Sequence, residues 1–403
     1  MPAPSLLERE RLDAAPLEVS RHSAPRAAGQ RPHVCFLAPT TWPLLASDHS
    51  IPVVGGAELQ QTVLATALAR RGYRVSMICI DYGQPDATVV DGVTVHKMHK
   101  PHEGIPVVRF LHPRLTSLWS ALKRVDADIY YQRTAAIYTG VLAAFCRKHR
   151  RASIYAGASD VDFVPGKQDI VYRRDRAIFE YGLRNVDRII VQNPVQQQRV
   201  REHYGRDCAL IPNCFTAPPG ARADRAGYVL WVATVRPQKR PEMLLEIARR
   251  LPQYRFVMIG GCDPGKKSED YYGSIREAAQ ALPNVEFKGF VPFSEADRYF
   301  DGARVVLNTS LYEGFPNTFL QAWSRAIPTL AFVDTGSRLD AEPVYDMVKD
   351  VAEAGRKTER LMRDDTAWQA ASRRVLAYFN DNHSVDAIVG HYEREFEALL
   401  RKP

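Results

Sequence analysis

Apolar positions along this chain gather into short uninterrupted runs, and the stretches between them carry apolar side chains at helical spacing. The runs at 33–38, 75–80, 128–131, 153–156, 188–191 and 208–211 read as strands. The segments 57–70, 135–149, 168–185 and 194–203 read as helices, the first stopped by Arg71 and Gly72. A strand, a glycine turn, a helix and a further strand make one right-handed βαβ unit. The alternation lapses at 216–227, rich in Pro, Ala and Gly, as an interdomain linker would. It restarts with strands at 228–232, 255–259, 285–287, 304–307 and 329–333. Helices are predicted at 241–251, 272–282, from Ser294 and from about Asn317, then in two long C-terminal pieces, 366–380 and 384–401. Two successive sets of this kind predict an α/β chain of two doubly wound, Rossmann-like domains, 31–218 and 219–383. The ligand is expected in the crevice between their strand ends. Residues 1–30 read as a disordered tail and 384–403 as a closing helix.

Composition fits that division. At 403 residues the chain can build two cores, and 45% hydrophobic with 25% charged residues is an ordinary globular balance. Six cysteines lie scattered without a C-x-x-C pair, mostly in apolar runs, as small buried hydrophobes in a reducing compartment would. No apolar run approaches the ~18 residues of a membrane span. Glu8, Arg9, Glu10, Arg11 and Asp13 interrupt what would be the core of a secretory signal, so a cytoplasmic location is expected. The net charge of +8 is uneven: residues 31–220 hold 24 Lys and Arg against 16 Asp and Glu, and the remainder is balanced. That bias points to an anionic partner for the first half. Basic and aromatic residues interleave from Lys97 to Arg124, among them Lys100, His102, Arg109, Phe110, Arg114, Trp119 and Lys123. They read equally as a peripheral seat on the anionic inner face of a membrane and as an ordinary surface helix with its loop. No reading motif accompanies the charge, so nucleic acid is not expected.

The sharpest chemical signal is the stretch 308–325, where an apolar strand turns through Glu313, Gly314, Phe315 and Pro316 into a helix. Such a turn aims free backbone N–H groups at one point, which suits a phosphate or diphosphate. Glu313 stands at the mouth of the turn, and Gln321 leans back toward the same point from the helix. Gly55 and Gly56, before the first helix, offer bare backbone to a phosphate or simply a tight turn. Arg236 and Lys239 follow the first strand of the second domain, where a cationic pair can neutralise a leaving diphosphate. Asp160 and Asp162 invite a metal, although no further ligand clusters around them, and Ser159 or Asp160 is expected to face the crevice. The eleven histidines show no ligand spacing, so no metal is expected. The absence of G-x-G-x-x-G, G-x-x-x-x-G-K-[ST] and G-x-S-x-G argues against dehydrogenase, P-loop and serine hydrolase chemistry.

Together, V-G-G-A-E at 54–58, I-P-N-C at 211–214, V-R-P-Q-K-R at 235–240 and E-G-F-P-N at 313–317 resemble the retaining GT-B glycosyltransferases of glycosyltransferase family 4. The resemblance runs from His33 to the C-terminus. It implies a GT-B fold whose final helix crosses back onto the first domain. It also implies transfer of a hexose from a nucleoside diphosphate sugar to a saccharide or lipid-linked acceptor, in surface polysaccharide or glycolipid synthesis. By that resemblance Gly56, with Gly55 beside it, lies against the donor diphosphate, which Arg236 and Lys239 bind from the second domain. Glu313 holds donor hydroxyls, and Gly314, Phe315, Pro316, Asn317 and Thr318 offer backbone to sugar and phosphate. Gln321 stands where the family usually has an acid on the ribose. A neutral bond there contributes about 0.5–1.5 kcal/mol against about 1.5–3 for a charged one, so weaker nucleotide binding or an altered nucleotide preference is expected, and not loss of activity. Thr234 replaces a frequent arginine, Cys214 a glycine, and Ser159-Asp160 a frequent histidine. With no histidine base, the leaving phosphate oxygen is expected to take the acceptor's proton, and no cofactor is implied. A sugar-nucleotide epimerase on the same scaffold and a catalytically silent sugar-nucleotide-binding paralogue remain open alternatives.

Overall fold

Two separate parallel sheets account for the alternation. The computed structural model describes residues 30–401 apart from 49–50, 52–54, 102, 106–109, 218–226 and 263–265. The tail expected at 1–30 (save Gln30), most of the expected linker, Val54 of the first motif, and His102 and Arg109 lie outside the described residues.

The first sheet contains β1 (His33–Leu37), β2 (Arg74–Cys79), β3 (Thr88–Val90), β4 (Val93–Lys97), β5 (Ile129–Arg133), β6 (Ala152–Ala156), β7 (Arg188–Val191) and β8 (Ala209–Leu210). Its order is β3-β4-β2-β1-β5-β6-β7-β8, all parallel except β3 against β4. The second sheet takes β9 (Tyr228–Val232), β10 (Phe256–Ile259), β11 (Val285–Gly289), β12 (Ala303–Asn308) and β13 (Thr329–Ala331). A short ribbon of β14 (Arg338–Leu339) and β15 (Glu342–Pro343) precedes β16 (Asp346–Met347), which completes the order β11-β10-β9-β12-β13-β16. Strands such as β1, β5 and β12 are buried along their whole length because helices cover both faces, hence their unbroken apolar runs.

Three departures from the sequence reading have local causes. The hairpin β3–β4 was not expected, although Asp91 and Gly92 at φ 48° and 79° form the two-residue turn that D-G between β-branched residues favours. The helix Val351–Arg363 was also missed; the Asp350 carboxylate caps it by accepting the Glu353 N–H at 2.7 Å. The helix expected from 168 starts only at Arg173, because the Gln168 amide closes a turn on Gly166 N and donates to Glu180. Of the six cysteines, four are buried, Cys208 is half-buried and Cys262 is exposed.

The chain returns to the first domain at its end. The helix Val385–Arg401 buries Ile388, Val389, Tyr392, Phe396 and Leu399, at about 1.5–3 kcal/mol for each large apolar side chain. Tyr392 packs on Tyr131 and Phe396 on Tyr73, while Glu393 pairs with Arg71 at 3.0 Å and Glu395 with Arg188 at 2.6 Å.

Elsewhere two helices of the first domain, Ile137–His149 and Arg173–Asn185, touch backbone to backbone. A Cβ on Gly140 would lie 2.1 Å from Ile178 O, and one on Gly182 would lie 2.6 Å from Gly140 N. Helix propensity favours Gly182→Ala by about 1 kcal/mol, but forced separation of the helices costs about 1–3 kcal/mol. Urea unfolding should therefore show net destabilisation. Gly355→Ala, with nothing within 4 Å of its added Cβ, should stabilise the chain by up to about 1 kcal/mol.

Candidate functional site

In the second sheet the order reverses between β9 and β12, and the loops leaving their carboxyl ends are laced together. Trp231 Nε1 donates to Thr309 Oγ1 at 2.9 Å, and Thr309 Oγ1 donates to Lys239 O at 2.6 Å. Arg240 donates through Nε to Thr309 O and through Nη2 to Ser310 O, at 2.7 and 3.0 Å. It does so from φ 45°, between a short turn Pro237–Lys239 and the helix Pro241–Arg250. The lacing sets Lys239 Nζ 2.5 Å from Glu313 Oε1. Ser310 Oγ reaches the same oxygen at 2.5 Å and Asn308 Nδ2 approaches it at 3.4 Å. All three donors converge on Oε1, and Oε2 has no protein partner among the described residues.

The first sheet reverses between β1 and β5, and its loops there face the same space. Gly56 opens the helix Gly56–Arg70, and Arg133 ends β5, with its Nη2 donating to Asn213 Oδ1 at 2.7 Å. Across the gap Asn317 Nδ2 donates to Gly56 O at 3.1 Å, while Gln60 Nε2 donates to Asn317 Oδ1 at 3.0 Å. A Cβ on Gly56 would come 2.6 Å from Asn317 Nδ2, so a side chain here would push the Asn317 amide out of its bond to Gly56 O. The result is an interdomain cleft of about 580 Å³.

The eleven residues that the sequence assigns to donor binding all line it: Gly55, Gly56, Arg236, Lys239, Glu313, Gly314, Phe315, Pro316, Asn317, Thr318 and Gln321. Arg236 has no hydrogen-bond or ion-pair partner among the described residues, and its Nε is buried. The Gln321 amide likewise has none, although the residue is only 4% exposed. The helix Asn317–Trp323 is seven residues long and has no side-chain cap, which leaves its first N–H groups free for a ligand or water. Sequence reasoning missed Arg133, Phe290 and Phe293, which also line the cleft; the Gly260-Gly261 pair after β10 was the signal for that wall.

The acidic pair on the first domain turns away. Asp162 is buried and accepts from Tyr155 Oη, Ala158 N and Ser159 N, at 2.9, 2.8 and 3.1 Å. Burial pushes its carboxyl pKa up, against those hydrogen bonds. Asp160 Oδ1 accepts from Asn193 and Gln196. Both carboxylates therefore hold the loop in shape, and Ser159 rather than Asp160 reaches the cleft. Among the described residues no group of three or more His, Cys, Asp or Glu is placed to hold a metal ion.

Behind the cleft, His383 marks where the chain crosses back. Its Nδ1 donates to Asn213 O at 2.8 Å, its carbonyl accepts from Phe215 N, and its ring lies 4.7 Å from that of Phe315.

Comparison with known proteins fits this geometry. Residues 54–216 match the family model described as Glycosyltransferase Family 4, and residues 218–342 match Glycosyl transferases group 1. The D-inositol 3-phosphate glycosyltransferase of Mycolicibacterium smegmatis is 24% identical over 389 residues, covering 84% of this chain and 86% of that one. Among solved structures, sucrose-phosphate synthase from Thermosynechococcus elongatus superposes with a TM-score of 0.71 at 18% identity, over 93% of this chain and all of that one. Anabaena HepE, in complex with UDP and glucose, does so with a TM-score of 0.70 at 15% identity, over 91% of this chain and all of that one.

The buried His383 makes one pH prediction. Burial pulls the His383 imidazole pKa from 6.5 down to about 4, and burial, with Arg74 second, does the same to His33. Between those values the unfolded chain binds protons that the folded chain refuses, so stability falls as pH drops from 6.5 toward 4. Thermal melts should show His383→Gln losing less stability than wild type between neutral pH and about pH 5, with the His33 share remaining.

Proposed function

The chain belongs to the glycosyltransferases that join a Family 4 domain to a group 1 domain, and from that we propose a retaining transfer of a hexose from a nucleoside diphosphate sugar to a saccharide or lipid-linked acceptor. The observation that carries this reading is the state of the cleft's charges. Lys239 and the unpartnered Arg236 stand on one loop, and Glu313 beside them has one oxygen satisfied and one free. A donor diphosphate would neutralise the two cations, and the free Glu313 Oε2 would accept from sugar hydroxyls. The Gln321 amide would take the ribose. HepE, whose complexes hold UDP and UDP-glucose, supports a uridine nucleotide as the first donor to try.

In the transfer, the bond from the anomeric carbon to the β-phosphate oxygen breaks, and a bond to the acceptor oxygen forms on the same face. The acceptor's proton passes to the departing phosphate oxygen. Charge builds on that phosphate, where Arg236 and Lys239 stabilise it most strongly in the transition state. The lining of the cleft supports a step without a protein base or nucleophile. Glu313 is its one carboxylate among the described residues, already tied to Lys239, and it contains no histidine.

Three outcomes test this reading. Glu313→Gln should lower transfer by about 10²-fold or more, with UDP still bound and the fold intact by circular dichroism; unchanged turnover would refute the assignment. Gln321→Glu should tighten UDP binding by about threefold to tenfold if this side chain meets the ribose, as read by calorimetry. Incubating the donor without acceptor should yield no new nucleotide sugar, which separates transfer from epimerisation.

A further inference from the structure

The cleft is not the only surface at the carboxyl edge of the first sheet. The first turns of the helices Thr116–Val125, Ile137–His149 and Arg173–Asn185 lie at that edge, because each helix connects parallel strands of the sheet. The same edge carries Arg133, Ala158 and Ser159 into the cleft. Between the helix starts lies a second cavity of about 530 Å³, walled by Phe110, Leu115, Leu118, Tyr138 and Val141. Its mouth is basic: Arg114, Arg173 and Arg174 line it against a single carboxylate, Asp175, which Arg174 Nε contacts at 2.8 Å. The Arg174 guanidinium lies 3.6 Å from the centre of the Phe110 ring, so the segments around 110 and 172 form one surface. Arg114 Nε is buried beside this cavity without a partner.

Around the mouth, large apolar side chains face solvent: Leu111 is 58% exposed, Val171 86% and Tyr172 66%. Scattered apolar side chains at a surface are ordinary. Three beside an apolar cavity with an arginine mouth form a patch of the kind that marks an interaction site. Apolar side chains ringed by arginine match the boundary between lipid headgroups and acyl chains, and the net positive charge matches anionic headgroups. No helix among the described residues is long and apolar enough to cross a membrane, so attachment here would be from one side.

We propose that this face docks on an anionic phospholipid bilayer. Leu111, Val171 and Tyr172 enter the acyl boundary, and Arg114, Arg173 and Arg174 meet headgroup phosphates. Docking in this orientation turns the carboxyl edge of the first sheet toward the bilayer and brings a membrane-held acceptor to the cleft's first-domain wall. That last consequence rests on the transferase reading above, whereas the docking itself does not.

Sedimentation with vesicles tests it, using phosphatidylcholine alone and phosphatidylcholine mixed with phosphatidylglycerol. The full chain should sediment with the mixed vesicles and stay in solution with the neutral ones, and added salt should weaken binding. Leu111→Ser/Val171→Ser/Tyr172→Ser and, separately, Arg173→Gln/Arg174→Gln should each lose about tenfold or more in vesicle affinity. Apart from Arg174, which contacts Phe110 and Asp175, these side chains lie outside the apolar core, and UDP binding in solution, measured on the same samples, checks that each variant is folded. Equal binding to both vesicle types, no binding by the wild type, or full retention by either variant would overturn the proposal. Loss of UDP binding by the wild type would instead count against the transferase reading.

Discussion

The ion pair between Lys239 and Glu313 is the contact around which the cleft is built. Each side chain is only about one-seventh exposed, at 13% and 14%, and charges this sheltered are costly unless every lone pair and proton is met. The protein meets them on one side only. Lys239, Ser310 and Asn308 crowd Glu313 Oε1, so the carboxylate is fixed in orientation while Oε2 stays free. The fixing begins with topology. β9 and β12 are neighbours in space although far apart in sequence, and their loops are laced by Trp231, Thr309 and Arg240 before either charged side chain is placed.

The first domain completes the site through a different kind of contact. Gln60, Asn317 and Gly56 make short polar links across the gap, and Gln60 also donates to Cys214 O at 2.8 Å. The same region meets the returning chain, where Asn213 is held by Arg133 through its side chain and by His383 through its carbonyl. His383 in turn lies against Phe315, two residues beyond Glu313. The connection from β5 through the crossover to the Glu313 loop is therefore continuous, and the helix Val385–Arg401 anchors it with a large buried apolar face. A rearrangement of the domains about the cleft would have to break these polar links and disturb the buried apolar cluster that runs from Phe36 and Tyr131 through Phe379 and Tyr392 to Phe319 and Trp323.

Strands buried on both faces were legible because uninterrupted apolar runs survive without knowledge of neighbours; β1, β5 and β12 are of this kind. The Glu313 loop was legible for a related reason, since strand, turn and helix are contiguous in sequence. The rest depended on partners far away in the chain. Arg240 resembled one more cation in a basic loop, and only the proximity of β12 makes it a clamp on Thr309 and Ser310. Arg133 could not be placed without knowing that β5 adjoins β1 at the point where the sheet order reverses. Asp162 suggested a metal from its spacing to Asp160, yet Tyr155 and two backbone N–H groups claim it. The hairpin at Asp91-Gly92 and the cap at Asp350 were readable local signals that the strand-and-helix alternation overshadowed.

The central claim is that a nucleoside diphosphate bridges the cleft by meeting the cation that the protein leaves unpartnered. Calorimetric titration of UDP, GDP and ADP into wild type and Arg236→Gln tests it most directly. The account predicts that one nucleotide binds the wild type with one-to-one stoichiometry, and that Arg236→Gln weakens it by about tenfold or more. Binding of that nucleotide with equal affinity to both proteins, or no binding of any of the three to the wild type, would contradict it.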